Sequence, residues 1–365
     1  MPDDGAAISS RKDDHIALCE TDAVAFSAKT NLLDDVDLVH DALPELAVDS
    51  VDLTTDFAGK ALAAPLVIAA MTGGTAQADA INRDLARVAQ AHGIGFGFGS
   101  QRPLLQHGVA AGYQVRDVAP DALVLGNIGI VQATGATTGQ LADLVAACGA
   151  DALCVHLNPA MEVVQPEGDR DFRGGLDTLR RLVAELAVPV IVKETGCGLS
   201  RSVGQRLAEV GVRWVDTSGA GGTSWVGVET LRAPASPAGG LGTRELGQAF
   251  WDWGIPTAGS VVQLGDLGLG ICATGGVSNG LQAARAIALG ATCAGMARPL
   301  LQARARGGYD ALDAAVAQVI AELRLAHLLA GARTPAELRT KPVVVGPRLA
   351  RWVPRSSGLR ERMLG

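Results

Sequence analysis

ALCVHL (Ala152–Leu157) and VPVIVK (Val188–Lys193) are short runs, apolar at almost every position, separated by the helix-spaced segment Gly175–Leu186. A strand with one wet face alternates apolar and polar residues. A run apolar on both faces needs cover on both sides, which suits a parallel strand between helices. Working outward, runs of the same kind occur at Leu66–Met71, Gly95–Gly99, Ala122–Gly126, Trp214–Thr217, Ile271–Thr274 and Cys293–Met296. Helical spacing fills most of the intervals. Thr75–His92 carries Ala78, Ile81, Leu85, Val88 and Ala89, and Thr138–Ala147, Ser202–Val210, Gly280–Leu289 and the tail Tyr309–Leu329 read similarly. Eight such runs predict an α/β fold, a (β/α)8 TIM barrel. An open doubly wound sheet is the structural alternative, but no GxGxxG follows the first strand.

The 365 residues are expected to form a single domain, 1–365, with two departures from the repeat. Residues 1–60 are an N-terminal extension expected to cover one end of the barrel. Residues 223–265 are a long insertion between strands six and seven, carrying Phe250-Trp251-Asp252-Trp253. A lid, a subunit contact and a surface excursion packing its own tryptophans are all open readings of it. With 48% apolar residues the chain can bury a sizeable core, and a net charge of −7 gives no general attraction to nucleic acid or anionic membrane. An anionic ligand would need a local cluster of cations. None of the six cysteines forms a CxxC pair; Cys154, Cys272 and Cys293 lie in apolar runs and read as small core residues. No signal peptide or membrane span is expected, so a reduced, cytoplasmic protein is the default reading.

In a barrel, the C-terminal ends of the strands face the active site. Read in order, those ends are Met71-Thr72-Gly73-Gly74, Ser100-Gln101-Arg102, Asn127, His156-Leu157-Asn158, Lys193-Glu194, Ser218-Gly219-Ala220-Gly221-Gly222-Thr223, Gly275-Gly276-Val277 and Met296-Ala297-Arg298. Any one of them is explained by helix capping. Polar or glycine-rich residues at all eight are not. Gly275 and Gly276 allow backbone N–H groups to approach phosphate oxygens, and a helix N-terminus follows at Asn279 or Gly280. Thr223 can add a hydroxyl to the same phosphate. Lys193 is the sole cation of an apolar strand and suits the N1/C2=O edge of a reduced flavin; an ion pair with Glu194 or Asp216 is the plainer alternative. Arg11, Lys12 and Arg102, with His15 nearby, form a second cationic group fit for a diphosphate. The acidic segment Glu162–Asp171 offers Glu162 for Mg2+, or is simply a solvated loop.

These strand ends, together with Arg11-Lys12-Asp13-Asp14-His15, Gly126-Asn127-Ile128-Gly129, His156-Leu157-Asn158-Pro159, Pro166-Glu167-Gly168-Asp169, Phe250-Trp251-Asp252-Trp253-Gly254-Ile255-Pro256 and Thr334-Pro335-Ala336-Glu337-Leu338, occur in an order and spacing that resembles the type 2 isopentenyl-diphosphate isomerases, FMN-dependent barrels. The resemblance implies interconversion of isopentenyl and dimethylallyl diphosphates in isoprenoid biosynthesis, with reduced FMN as acid–base agent, NAD(P)H as its reductant and Mg2+ on the diphosphate. It implies FMN contacts from Met71, Thr72, Gly73, Ser100, Asn127, Lys193, Ser218, Thr223, Gly275, Gly276, Met296 and Ala297. Substrate contacts would come from Arg11, Lys12, Ser100, Gln101, Arg102, His156 and Asn158, and the metal ligand would be Glu162. A homotetramer or larger assembly is implied as well.

One position departs from the pattern. Where the family carries a glutamine implicated in proton transfer, immediately before the metal-binding glutamate, this chain has Met161. A thioether has no transferable proton and makes an apolar wall. Gln165 offers no evident replacement, because the family has a glutamine there too. Three readings follow: an isomerase in which flavin or water does both proton transfers; a different reaction on a prenyl diphosphate or related phosphorylated substrate; and a flavin-binding protein without turnover. FMN barrels that oxidise 2-hydroxy acids share the lysine and the phosphate glycines. They also need a histidine base at the ends of strands six to eight, and Ser218–Gly222 supplies none.

Overall fold

The computed structural model describes residues 12, 14–165, 168–233 and 242–364. Eight parallel strands close into a barrel: β1 (Leu66–Ile68), β2 (Gly95–Gly97), β3 (Leu123–Gly129), β4 (Ala152–Leu157), β5 (Val190–Glu194), β6 (Trp214–Asp216), β7 (Gly270–Ala273) and β8 (Cys293–Met296). β8 pairs with β1 through Ala294 and Leu66, which completes the ring and excludes the open sheet. The helices that follow the strands in turn are α1 (Ala76–His92), α2 (Arg102–His107), α3 (Thr138–Cys148), α4 (Gly175–Glu185), α5 (Arg201–Glu209), α6 (Thr257–Leu264), α7 (Gly280–Ala288) and α8 (Arg298–Leu329). Their starts are fixed by side-chain caps where the sequence supplies them. Thr75, Thr137, Ser200 and Asn279 each accept from a backbone N–H of the first turn, removing one of the donors that a helix start leaves without a partner.

Alternation along the strands sorts the barrel interior into levels. Leu125 and Asn127 on β3, Cys154 and His156 on β4, and Ile191 and Lys193 on β5 sit two residues apart and therefore share a face. Register aligns the levels across strands: Cys154 lies opposite Ile191, His156 opposite Lys193, and Lys193 opposite Asp216. The lower level is apolar, made by Val67, Leu123, Leu125, Cys154, Ile191, Cys272 and Cys293. The upper level is polar.

The N-terminal extension covers both ends of the barrel. A hairpin of Thr55–Phe57 and Lys60–Leu62 inserts Phe57 and Leu62 into the lower level, with the Phe57 ring edge-on to Trp214 at 5.1 Å. Lys12 and the helical stretch 14–19 instead cross the opposite end, where Ile16 and Cys19 are buried. Farther along, Val36–Leu38 forms an antiparallel ladder with Val343–Val345, so segments from near the two ends of the chain are stitched together.

Residues 223–265 are more than an excursion. They contain Trp225–Arg232, Thr243–Phe250 and α6, and α6 is the barrel's own sixth helix, packed against β7 and α5. The expected terminal helix begins earlier than Tyr309, at Arg298, and breaks at Gly307 and Gly308, where φ reaches +65° at Gly308.

Candidate functional site

Two adjoining cavities open at the C-terminal ends of the strands and share Ala70, Met71, Lys193 and Trp225. Both are open to solvent and lie side by side, an arrangement suited to a cofactor and a small ligand together.

The second cavity is bounded by the loops after β6, β7 and β8, where Ser218, Thr223, Gly275, Gly276 and Ala297 lie as the sequence predicts. Gly275 and Gly276 have φ of +109° and +77°, a backbone region L side chains rarely adopt. A Cβ on Gly276 would strike Gly221 O, and one on Gly222 would strike Gly276 N, so the two loops touch through backbone alone. Next to them, α7 presents its capped N-terminus. This arrangement suits a phosphate. Arg298, at the start of α8, also lines this cavity and adds a cation.

Lys193 stands between the cavities, buried, with Nζ donating to Glu194 O at 2.6 Å and Ser218 Oγ at 3.4 Å. The expected alternative of an ion pair is not what forms. Glu194 turns its carboxylate away to accept from Cys197 N and, at 3.0 Å, from Gly198 N. Burial pushes Glu194 up to about 8, against those bonds and the Lys193 charge. Asp216 accepts from Thr274 Oγ1 and from Ser218 N at 3.1 Å; burial raises its pKa too, with Lys193 opposing. The ammonium is thus held on the wall common to both cavities. A lysine beside a glycine-built phosphate cradle fits FMN, which Met71 and Lys193 on the shared wall would help to hold.

The first cavity gathers Lys12, Thr72, Gly73, Ser100, Arg102, Asn127, His156, Asn158, Met161 and Glu162. His156 Nδ1 lies 2.9 Å from Asn127 Oδ1. Asn127 Nδ2 donates to Phe98 O at 2.9 Å, so Oδ1 is the acceptor facing the ring. Nδ1 therefore carries the proton and Nε2 is bare. Burial, helped by the Lys193 charge, lowers His156 to about 3, so the imidazole is neutral. Glu162 Oε1 accepts from Asn158 Nδ2 at 2.7 Å and Oε2 from Asp169 N at 2.8 Å. Each oxygen keeps lone pairs for a cation. Among the described residues no group of three or more His, Cys, Asp or Glu surrounds a metal position, so Mg2+ fits here only with ligand phosphate oxygens completing its shell.

Several expected contacts sit differently. Lys12 lines the cavity, but its Nζ donates to Gly73 O, to Ser100 O at 3.0 Å and to Tyr113 Oη at 2.7 Å, anchoring the N-terminal segment across the mouth. Gln101 is fully buried beneath the wall, its Oε1 accepting from Asn127 N at 2.7 Å. Met296 is buried in the core, outside the lining of either cavity. Arg11, with Asp13, Pro166 and Glu167, lies outside the described residues.

Gln165, weighed in the sequence only as a replacement for the missing glutamine, lines the wall, and other wall residues were not singled out: Trp225, Gln132, Thr195 and Leu301. Trp225, an aromatic directly after a glycine-rich strand end, was the readable one. His15, noted only as a neighbour of Arg11 and Lys12, also lines the cavity. Its Nε2 meets Glu229 Oε1 at 2.9 Å and its ring meets Trp225 edge-on at 5.4 Å. Cys19 lines the first cavity, and burial pushes it and Cys154 up to about 12, away from thiolate chemistry.

The FMN-dependent dehydrogenase family matches residues 6–235 and 103–345. Isopentenyl-diphosphate delta-isomerase of Methanothermobacter thermautotrophicus is 41% identical over 349 residues, covering 95% of this chain and 96% of the relative. The protein of that name from a Synechococcus species is 44% identical over 346 residues, covering 94% and 97%. Among solved structures, a mandelate oxidase mutant carrying an FMN adduct superposes with a TM-score of 0.65 at 16% identity, covering 94% of this chain and 100% of that one. A putative lactate oxidase of Pediococcus acidilactici gives 0.65 at 14% identity, covering 93% of each. At such identities the likeness shows the fold alone. His327, in the terminal helix, is fully buried with Nδ1 2.8 Å from Leu323 O, away from both cavities.

Proposed function

This chain belongs to the isopentenyl-diphosphate delta-isomerase family, within the broader FMN-dependent dehydrogenases, and from that premise we propose that it is an FMN-dependent isomerase converting isopentenyl to dimethylallyl diphosphate. The observation that carries the reading is the shared wall. Met71 and Lys193 border both a glycine-built phosphate cradle and a polar mouth.

Bound FMN, once reduced, supplies an acid–base group able to deliver and remove protons at carbon without net redox change. The chain's own residues do the rest. Gly275, Gly276, Ser218, Thr223 and Ala297 would hold the cofactor phosphate, and Met71, Thr72, Gly73, Ser100 and Asn127 would help to hold the rest of it. Lys193 would supply a positive charge to the bound flavin. Arg102, Ser100, Asn158 and His156 receive the diphosphate, with Arg11 and Lys12 from the N-terminal segment. A bare Nε2 repels an anion. His156 therefore takes up a proton on binding, and Asn127 Oδ1 accepts from Nδ1 in either state. Glu162 holds Mg2+ against the diphosphate. Ile16, Met161, Trp225 and Leu301 make the apolar side of the same cavity, which limits access of water to the alkene.

NAD(P)H serves as reductant in this reading, and residues 1–365 act as one cytoplasmic domain that assembles into a homotetramer or larger. No helix among the described residues is long and apolar enough to cross a membrane. Met161 in the wall favours one second reading, a different reaction on a prenyl diphosphate. A single assay separates the two. Protein loaded with FMN is given isopentenyl diphosphate, Mg2+ and a reductant, and dimethylallyl diphosphate is measured. Product from the wild type supports the isomerase. Product only after Met161→Gln supports the altered reaction, and none in either rejects isomerisation.

A further inference from the structure

Three glutamines lie at or beneath the mouth, and their amides differ in occupation. Gln101 lies beneath the wall, lining no cavity; its Oε1 accepts from Asn127 N and its Nε2 is sealed in without a partner. Gln132 lines the substrate cavity, but its Nε2 donates to Asp169 Oδ2 at 2.9 Å. Gln165 lines the same cavity, is only 7% exposed, and its side-chain amide has no hydrogen-bond partner among the described residues. Its backbone is fully committed. The N–H donates to Met161 O at 3.0 Å, and the carbonyl accepts from Gly168 N at 3.1 Å and Arg170 Nη2 at 2.9 Å. This amide is not sealed in: it reaches the cavity without a protein partner, where a bound ligand can satisfy it.

The position says which ligand. Met161, Glu162 and Gln165 follow one another on and at the end of the short helix Pro159–Val164, and Gln165 lies three and four residues beyond the other two, on the same side. Glu162 is the carboxylate assigned above to the metal on the diphosphate. An amide N–H beside it is a neutral donor, able to meet a phosphate oxygen without repelling Mg2+. We propose that Gln165 is a substrate-binding residue whose Nε2–H donates to an oxygen of the bound diphosphate, while Met161 faces the hydrocarbon. The inference rests on the isomerase reading only in taking a prenyl diphosphate as ligand.

Binding rather than turnover tests it. Calorimetric titration of oxidised, FMN-loaded protein uses isopentenyl diphosphate and, separately, inorganic pyrophosphate, each with Mg2+. Wild type is compared with Gln165→Met and Gln165→Glu. Gln165→Met is expected to weaken both ligands by roughly tenfold to a hundredfold, the effect of deleting a donor to a charged acceptor. Gln165→Glu, nearly the same shape with a charge added, should weaken them at least as much. FMN content should stay at the wild-type level. If the methionine variant fails to retain FMN, the glutamate variant decides. Affinities within about twofold of wild type in the FMN-competent variants overturn the proposal, since a lost donor of this kind has a larger effect. Wild type that binds both ligands without isomerising one would remove the isomerase reading and leave this comparison intact. Wild type that binds neither removes both.

Discussion

Carboxylates at the two ends of the barrel are treated in opposite ways. At the N-terminal end, Asp151 accepts from Val124 N at 2.8 Å, Arg116 Nη2 at 2.6 Å and Lys60 Nζ at 3.0 Å. Burial pushes its pKa up, but these three donors outweigh it and leave the group below the usual value. At the C-terminal end, Glu194 and Asp216 flank a single ammonium, neither forms a direct pair with it, and burial wins, raising both. The lower end is a sealed structure with its charges satisfied. The upper end keeps charge short of satisfaction, which is the usual mark of a site that expects a charged ligand.

The contrast breaks most visibly by exchanging what each end depends on. Lys193→Met should lower isomerisation by roughly a hundredfold to a thousandfold, about 3–4 kcal/mol of transition-state stabilisation, with little change in the unfolding midpoint. Steady-state kinetics beside a thermal melt measures both. Unchanged kinetics would remove the role given to this lysine. Phe57→Ala should do the reverse. It empties a buried aromatic site in the plug and is expected to cost about 3 kcal/mol of stability, while the kcat of the remaining folded protein stays near wild type. A plug variant that melts normally but turns over slowly would erase the distinction between the ends.

A smaller effect sharpens the same comparison through pH. Glu194 is raised in the folded state, so its contribution to stability is whole below the ordinary carboxylate value and is lost as pH rises through about 8. Asp151 is lowered, so its contribution is present above the ordinary value and is lost as pH falls through the folded one. Glu194→Gln should therefore flatten the decline in melting temperature between about pH 5 and 8, a difference on the order of a few kcal/mol at most. Asp151→Asn should leave that limb alone and cost about 1 kcal/mol at neutral pH, since its ion pairs are partly exposed. Parallel limbs over that range in wild type and Glu194→Gln would show that Glu194 does not titrate there.

The lower and upper halves also differed in how far they were legible. All eight strands could be found because buried parallel strands leave short runs apolar on both faces, and the alternation that sends Lys193 inward is local to one strand. The glycines at Gly275 and Gly276 were readable as well, since backbone approach needs that residue and few others. Contacts between distant segments were not. Lys12 reads as a contact to the diphosphate, and only the fold shows Gly73, Ser100 and Tyr113 converging on it. Gln101 and Gln165 look alike in sequence, and only the strand ends beneath them decide that one faces Asn127 and the other the cavity. The plug of Phe57 and Leu62 was hidden in an extension whose hairpin is three residues per strand.

The ladder between Val36–Leu38 and Val343–Val345 sets an order of events on the ribosome. Its first half is made before every strand of the barrel and waits, edge unpaired, until all eight have been made. Locking of the ladder therefore follows synthesis of the whole ring, and a nascent chain carries that open edge while the barrel strands emerge.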